Sequence, residues 1–287
     1  MREYIISTDS TADLPADYLK EHNIFVHPLY YNIEGQVYGG DNELTPSEFY
    51  AKMRSGIMPT TMATNPEHVR NLFLKQVEEG YDVLHIGFSG ALSSSLNNAA
   101  VSAREVCEEH PEAKITVIDS CAASLGQGLL VHKAVMMKEQ GKSMDEVAAW
   151  VEVNKDHLCH EFTVDNLFHL HRGGRVSKAT AIIGTLINVK PALHVDLQGR
   201  LIPLVNVRGR KKALIKLVEF MEEKIEGYDN DIIFISHGDC LEDAQFVADL
   251  IKEKFGITKF LINYVSPTIG THSGPGTVAL FFMGKEK

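Results

Sequence analysis

The chain has 287 residues, enough for one large domain or two ordinary ones. Hydrophobic residues make up 44% and charged residues 23%, a balance typical of a globular protein and not of a disordered one. Lysine and arginine number 28 against 38 aspartates and glutamates, so the formal net charge is −10. No basic tract is present to displace the counterions of a nucleic acid, which argues against nucleic-acid binding.

The cysteines and the start of the chain indicate the compartment. The four cysteines fall in no metal-ligand spacing, and the N-terminus begins directly with a predicted strand. The apolar stretch of residues 179–189 is interrupted by glycine and threonine and is too short to span a bilayer. We therefore expect a cytoplasmic protein with reduced thiols.

The first half of the chain alternates predicted strands and helices. The alternation predicts right-handed crossovers and a mainly parallel sheet with helices on both faces, whose ligands bind beyond the carboxyl ends of the strands. Strands are predicted at residues 3–8, 25–33, 82–88 and 114–119. Helices are predicted at residues 45–55, 66–79, 94–110, 124–140 and 143–154.

The second half has a different pattern, in which strands follow one another with few helices between them. This pattern favours a mixed or antiparallel sheet covered by helices, so we predict an α/β protein of two domains, residues 1–155 and 156–287. The predicted strands are residues 161–164, 192–196, 201–207, 231–236, 259–265 and 277–283. The predicted helices are residues 211–226 and 241–255, and residues 197–200 form a hairpin-like turn.

Residues 265–276, between the last two strands, are predicted to form a loop. Two prolines and three glycines in this short stretch favour neither a helix nor a regular strand. The segment brings Thr271, His272 and Ser273 together with glycine-flanked amides, which suits recognition of a small anion. An ordinary strand connection built from turn residues is the alternative.

The motifs of catalysis are weak. Gly87-Phe88-Ser89-Gly90-Ala91 lacks the last glycine of a nucleophile elbow, so a serine hydrolase using Ser89 or Ser93 is only an alternative. The histidine pairs at 157 and 160 and at 169 and 171 have no cysteine or acidic partner at a ligand spacing. We therefore predict no catalytic residues, no metal and no cofactor.

Short hydroxyl-rich segments remain, at residues 59–61, 92–95 and 271–273. Residues 59–61 are predicted to begin a turn and residues 92–95 to cap a helix, since serine and threonine favour both positions. Together the segments lack a nucleophile, base and orienting group at recognisable spacing. They suit the binding of a carboxylate by neutral donors better than bond cleavage.

Short motifs are spread over nearly the whole chain. They include residues 8–15 (TDSTADLP), 59–61 (PTT), 92–96 (LSSSL), 118–120 (IDS), 124–128 (SLGQG), 170–177 (LHRGGRVS), 189–193 (VKPAL), 199–201 (GRL), 207–213 (VRGRKKA) and 269–276 (IGTHSGPG). With these motifs in family order, the chain resembles the DegV family, the bacterial fatty-acid-binding proteins that serve as the carrier subunit of fatty acid kinase.

The resemblance implies two α/β domains with a long-chain fatty acid between them and its carboxylate at their interface. The family's carboxylate ligands correspond to Thr61, Ser93 and His272, with amides near Ser94 and Thr271 assisting. This sequence departs from the family where it has Met62-Ala63-Thr64 in place of Ser-Gln-Pro, and Ser94-Ser95-Leu96 in place of Gly-Thr-Tyr. These departures bear on chain-length preference and head-group geometry.

The resemblance also implies a partner and no enzymatic activity of the chain itself. In the family a separate ATP-dependent kinase phosphorylates the bound fatty acid, and the carrier then holds the acyl phosphate, with transient contact with the membrane. The arginine matching Arg175 is the implied contact with the kinase. Arg172-Gly173-Gly174-Arg175 is predicted to be an exposed turn that forms a positive spot with Lys178, although a solvated turn paired with acidic residues is an alternative. A further alternative is that the chain is a sensor of another small amphiphile.

Overall fold

The computed structural model describes residues 2–177 and 188–287. Its strands are β1 (Tyr4–Asp9), β2 (Phe25–His27), β3 (Tyr30–Ile33), β4 (Gln36–Tyr38), β5 (Thr60–Met62), β6 (Asp82–Gly87), β7 (Ile115–Asp119), β8 (Leu158–Thr163), β9 (Val189–Val195), β10 (Leu201–Arg208), β11 (Ile233–His237), β12 (Phe260–Tyr264) and β13 (Val278–Met283). Its α-helices are α1 (Ala16–Glu21), α2 (Pro46–Arg54), α3 (Pro66–Glu78), α4 (Ser95–Glu109), α5 (Leu125–Glu139), α6 (Met144–Asn154), α7 (Phe168–Arg172), α8 (Arg210–Lys224), α9 (Leu241–Phe255) and α10 (Pro267–Ser273).

A parallel sheet with strand order β2-β1-β6-β7 forms the centre of the first half. Helices cover both faces of this sheet, so its strands direct apolar side chains to both sides. Ile5 and Val83 pack in a cluster with residues of α3 and α4, while Ile6 and Leu84 face the helix α5. The predicted parallel sheet with helices on both faces is confirmed.

A small antiparallel sheet of order β4-β3-β5 lies beside the parallel sheet. The prediction of a single strand over residues 25–33 is wrong, because Pro28, which cannot donate a ladder hydrogen bond, separates β2 from β3. The prediction of a turn starting at residues 59–61 is also wrong. Residues 60–62 form β5, in which Thr61 pairs with the buried Tyr31.

The second half contains a six-stranded mixed sheet of order β10-β9-β8-β13-β11-β12, as predicted. Only β11 and β12 pair in parallel; the other neighbours are antiparallel. One face packs on α8 and α9, and the other carries Phe162, Phe234 and Phe281 into a core shared with α5. The predicted turn at residues 197–200 joins β9 to β10 in an antiparallel hairpin.

The prediction that residues 265–276 form no helix is wrong, because residues 267–273 form α10. Ser266 is the N-cap, and Pro267 occupies the first helical position, where a missing N–H costs nothing. Gly274 ends the helix with φ +82°. Gly270 lies inside the helix because a side chain there would collide with Tyr50. Pro267, Gly270 and Gly274 would normally interrupt a helix, but each lies at a position of α10 where its residue type is tolerated.

The helix α5 connects the two halves. It contacts β1 and β6 of the parallel sheet and β8, β11 and β13 of the mixed sheet. Its buried residues, such as Leu125 and Leu129, belong to one apolar cluster that includes both Ile6 and Phe281. The division at residue 155 stays a prediction.

Two expectations fall on residues that the structure does not describe. Lys178 and residues 179–187 of the apolar stretch lie outside the described residues. Within residues 2–177 and 188–287, no helix combines the length and hydropathy needed to cross a membrane.

Gly199, in the turn between β9 and β10, provides a test of the contact between the halves. Its carbonyl accepts a hydrogen bond from Ser89 Oγ at 3.0 Å, its φ is +77°, and an added Cβ would overlap that hydroxyl. Gly227 has a similar φ of +85° but open space around it. We expect Gly199→Ala to cost about 1–3 kcal/mol more stability than Gly227→Ala, because only the former adds a clash to the backbone strain. Equal melting temperatures in thermal denaturation would contradict this.

Candidate functional site

A cavity lies between the mixed sheet, α10 and the loops that follow β6 and β7, and we call it the interface cavity. The space between its walls is about 820 Å³, including solvent at its mouth. Its apolar lining is Leu29, Met62, Phe88, Leu92, Ala123, Phe162, Leu170, Val195, Leu201, Val265, Ile269, Ala279 and Phe281. Its polar lining is Thr61, Ser93, Ser124, His160, Arg175, Ser236, Thr268, His272, Ser273 and Thr277. A mainly apolar cavity with a few polar groups suits an amphiphilic ligand.

Thr61 and His272 meet at one part of the wall. Thr61 Oγ1 and His272 Nε2 lie 2.8 Å apart, although 211 residues separate them in the sequence. The alternation of β5 turns Thr61 inward between the exposed Thr60 and Met62, and the last turn of α10 supplies the imidazole. The fold therefore brings together two of the residues predicted to bind a carboxylate.

The imidazole of His272 is held neutral. Burial, together with the smaller effect of the positive charges of Arg175 and Arg172, lowers its pKa to about 3. Its Nδ1 is buried against Gly173 and has no hydrogen-bond partner within the described chain. At neutral pH His272 is thus a neutral hydrogen-bonding group, and an anion bound beside it would offset the charges that depress its pKa.

Ser93 lines the cavity just before the N-terminus of α4. Its Oγ donates to Ser95 Oγ at 3.0 Å and accepts from the Ser95 amide at 3.2 Å. Ser94 is the N-cap, is exposed, and makes no side-chain capping bond. The positive end of the dipole of this 15-residue helix therefore lies beside Ser93, where a negative charge is favoured.

Thr271 does not contribute its side chain to the cavity lining. Its Oγ1 donates to Pro267 O at 2.9 Å, and its carbonyl accepts from Arg172 Nη2 at 3.1 Å. The contact with Arg172 joins α7 to α10. A role of Ser94 or Thr271 in carboxylate binding stays a prediction that rests on their main chains.

Arg175 is half-buried, so the prediction of an exposed turn is wrong at this position. Residues 168–172 form α7, after which the buried side chain of Val176 draws the chain inward. The guanidinium donates to Leu92 O from Nε at 3.1 Å and from Nη2 at 2.8 Å, and it also bonds to Gly173 O. Burial lowers the pKa of Arg175 and that of Arg172. In the described chain neither guanidinium pairs with a carboxylate, which leaves two partly desolvated cations beside the cavity.

The two serines considered as nucleophiles have other hydrogen-bond partners than a base. Ser89 is fully buried and donates to Gly199 O, and the Ser93 hydroxyl donates to Ser95. Among residues 2–177 and 188–287, neither hydroxyl has a histidine as hydrogen-bond partner. In the same residues, no group of three or more histidine, cysteine or acidic side chains is arranged to hold a metal ion.

Sequence reasoning missed further hydroxyls in the cavity, among them those of Ser124 and Ser236. Ser124 Oγ donates to the buried carboxylate of Asp13 and lies 2.9 Å from Ser236 Oγ. Ser124 and Asp13 lie in motifs that carry the family resemblance, but neither motif indicated a role. Ser236, at the end of an apolar strand, gave no signal in the sequence.

Comparisons with known proteins identify the family. A model described as "Uncharacterised protein, DegV family" matches residues 4–285. A DegV domain-containing protein from Clostridium perfringens is 44% identical and covers 100% of this chain and 99% of its own length. A second, from Lactococcus lactis, is 37% identical, with 98% of each chain covered.

Solved structures show the same fold. A fatty-acid-binding DegV family protein from Thermus thermophilus has a TM-score of 0.85 and 32% identity, covering 99% of this chain and 100% of that one. DegV from Bacillus subtilis, a fatty acid binding protein, has a TM-score of 0.84 and 28% identity with the same coverage. The match of the family model over nearly the full length, together with these relatives, shows that the chain belongs to the DegV family.

Proposed function

We propose that this chain is a carrier that binds a long-chain fatty acid in the interface cavity, with the carboxylate held at Thr61, Ser93 and His272. The contact between Thr61 and His272 at one part of an otherwise apolar wall carries the proposal. The fatty acid binding of the relatives from Thermus thermophilus and Bacillus subtilis supports it.

The acyl tail would supply most of the affinity. A tail of about fifteen methylenes, at about 0.8 kcal/mol each, gives about 12 kcal/mol of transfer free energy before the entropy of binding is subtracted. Thirteen of the 23 lining residues are apolar, so much of the tail would lie against apolar side chains. The head group would therefore determine orientation more than affinity.

The carboxylate needs hydrogen bonds because burying it without partners would cost several kcal/mol. The hydrogen bond between Thr61 and the neutral His272 uses one hydrogen of this pair, so when Nε2 donates to Thr61 Oγ1 the Thr61 hydroxyl is left to donate to the carboxylate. The Ser93 hydroxyl would donate to the carboxylate in place of Ser95 Oγ. The main chains near Ser94 and Thr271 would assist. Arg172 and Arg175 would balance the charge, since neither pairs with a carboxylate within the described residues.

The carrier would present the bound acid in the cytoplasm to a separate ATP-dependent fatty acid kinase, and would then hold the acyl phosphate for phospholipid synthesis, with transient membrane contact. Arg175 supports this step. Its guanidinium bonds to neutral carbonyls of Leu92 and Gly173, and a phosphoryl group or a carboxylate of the kinase would be a stronger, bidentate partner.

Protein purified from a bacterial host should contain a long-chain fatty acid in roughly equimolar amount. The apolar cavity would retain such a ligand through purification because the tail leaves water on binding. Organic extraction and mass spectrometry measure it. Ligand-free protein that also fails to bind fourteen- to eighteen-carbon acids in calorimetric titration would overturn the carrier function.

Removing a head-group donor should weaken acid binding and leave the fold intact. We expect Thr61→Ala, Ser93→Ala and His272→Ala each to cost about 1.5–3 kcal/mol of binding free energy, the value of a hydrogen bond to a charged group. The matched fatty alcohol, which has the same tail and no charge, serves as the control ligand. If all three variants bind palmitic acid as tightly as the parent, the carboxylate lies elsewhere.

Arg175→Ala should separate binding from presentation. The variant should still copurify with fatty acid and melt within a few degrees of the parent, because its lost bonds are to carbonyl groups. It should support little acyl-phosphate formation with a cognate fatty acid kinase. Arg104→Ala, which removes an exposed arginine of α4, is the control for net charge. Unchanged turnover, or loss of the bound lipid, would show that Arg175 is not the docking residue.

A further inference from the structure

The interface cavity extends along one face of α10. Val265, Ile269 and His272 form a row in its lining: Ile269 and His272 are three residues apart on one face of the helix, and Val265 lies just before the N-cap Ser266. The seven residues of α10 correspond to about 10 Å of helix axis. Thr61 and His272 meet at the C-terminal end of this row.

Ser236 and Ser124 lie near the N-terminal end of that row. Ser236 pairs in register with Asn263, and the amide of Val265 donates to the carbonyl of the next residue, His237, at 2.8 Å. Asn263 Nδ2 donates to Asp13 O at 2.8 Å. The wall therefore has a second group of hydroxyls, beside the strand end that leads into α10.

The hydrogen bonds of this second group follow one direction. The Ser124 hydroxyl donates to the carboxylate of Asp13, so its oxygen is free to accept a hydrogen bond from Ser236 Oγ, 2.9 Å away. Burial raises the pKa of Asp13 to about 7 even though hydrogen bonding from Ser124 and Ser266 acts in the opposite direction. With Asp13 ionised, Ser236 Oγ donates to Ser124 and keeps lone pairs that can accept a hydrogen bond.

His160 adds an unsatisfied group to the same region. Its side chain lines the cavity, it is 1% exposed, and its Nε2 has no hydrogen-bond partner among the described residues. That nitrogen packs against Gly126, two residues after Ser124. Burial lowers the pKa of His160 well below its usual value, so the ring is neutral and contains one donor and one acceptor nitrogen.

A cavity that bound only saturated tails would gain nothing from these groups, since each polar atom facing a methylene loses hydration without compensation. Ser124 comes from the first half of the chain, Ser236 and His160 from the second, and the fold brings all three to one cavity. In this cavity a ligand hydroxyl would donate to Ser236 Oγ, and its oxygen would accept a hydrogen bond from a ring N–H of His160.

We propose that Ser124, Ser236 and His160 form a second polar subsite that accepts a hydroxyl group in the middle of the acyl chain, which makes mid-chain hydroxylated fatty acids a ligand class of this protein. The proposal rests on the proposed function, because the carboxylate at Thr61 and His272 sets where along the chain the hydroxyl must be.

The test compares octadecanoic acid with its monohydroxy derivatives, with the hydroxyl moved one carbon at a time through the middle of the chain. Calorimetric titration should show one or two positions at which the hydroxy acid binds at least as tightly as octadecanoic acid. At those positions Ser236→Ala should weaken binding of the hydroxy acid about tenfold relative to binding of octadecanoic acid. The control is Ser102→Ala, which removes a buried hydroxyl of α4 that donates to Pro66 O. It should leave the ratio of the two dissociation constants, hydroxy acid to octadecanoic acid, unchanged.

Three results would overturn the inference. Uniform weakening at every hydroxyl position would show that the wall is effectively apolar, and an unchanged ratio in Ser236→Ala would show that the hydroxyl binds elsewhere. If Ser236→Ala does not fold, Ser236→Cys keeps the volume with a weaker acceptor and should lower the same ratio; no change would count against the subsite. Failure of octadecanoic acid itself to bind would instead refute the proposed function, and the inference with it.

Discussion

The hydrogen bond between Thr61 and His272 is the contact on which the geometry of the candidate site depends. It joins an edge of the small antiparallel sheet to the helix that precedes the last strand, and so ties two distant parts of the chain. Tyr50 donates to Val265 O, and Arg54 pairs with Asp239 across the same junction. These contacts hold the hydroxyl and the imidazole on one wall, where a carboxylate would need both.

Electrostatics explain why a neutral histidine is suited to this position. Burial and the two nearby guanidinium groups disfavour a third positive charge, so His272 stays unprotonated. Arg172 and Arg175 bond to main-chain carbonyls, which leaves their charges uncompensated by any acid of the described chain. A chain of net charge −10 thus keeps a local positive potential beside one cavity, a distribution that suits an anionic head group and, later, a phosphoryl group.

Much of the fold was predictable because its signals are local. The strands β1 and β6 are short and mostly buried, with apolar pairs such as Ile5-Ile6 and Val83-Leu84. The helix α2 begins with a capping box at Thr45, which the residues Thr-Pro-Ser-Glu predict. The region around Pro28 was not predictable in this way. A segment of strand-forming residues can continue in one sheet or pass to another sheet at a proline. Which of the two occurs depends on the strands available for pairing.

The sequence by itself determined the class of the fold, the family resemblance, and the residue types of the head-group site, because periodicity and motifs are properties of neighbouring residues. Only the tertiary structure decided that the proline- and glycine-rich segment carrying His272 is a helix, since Gly270 is there to admit Tyr50 from α2. It alone turned Arg175 inward and placed Ser236 beside Ser124. Such contacts join residues far apart in the chain, and their geometry depends on packing that no local pattern records.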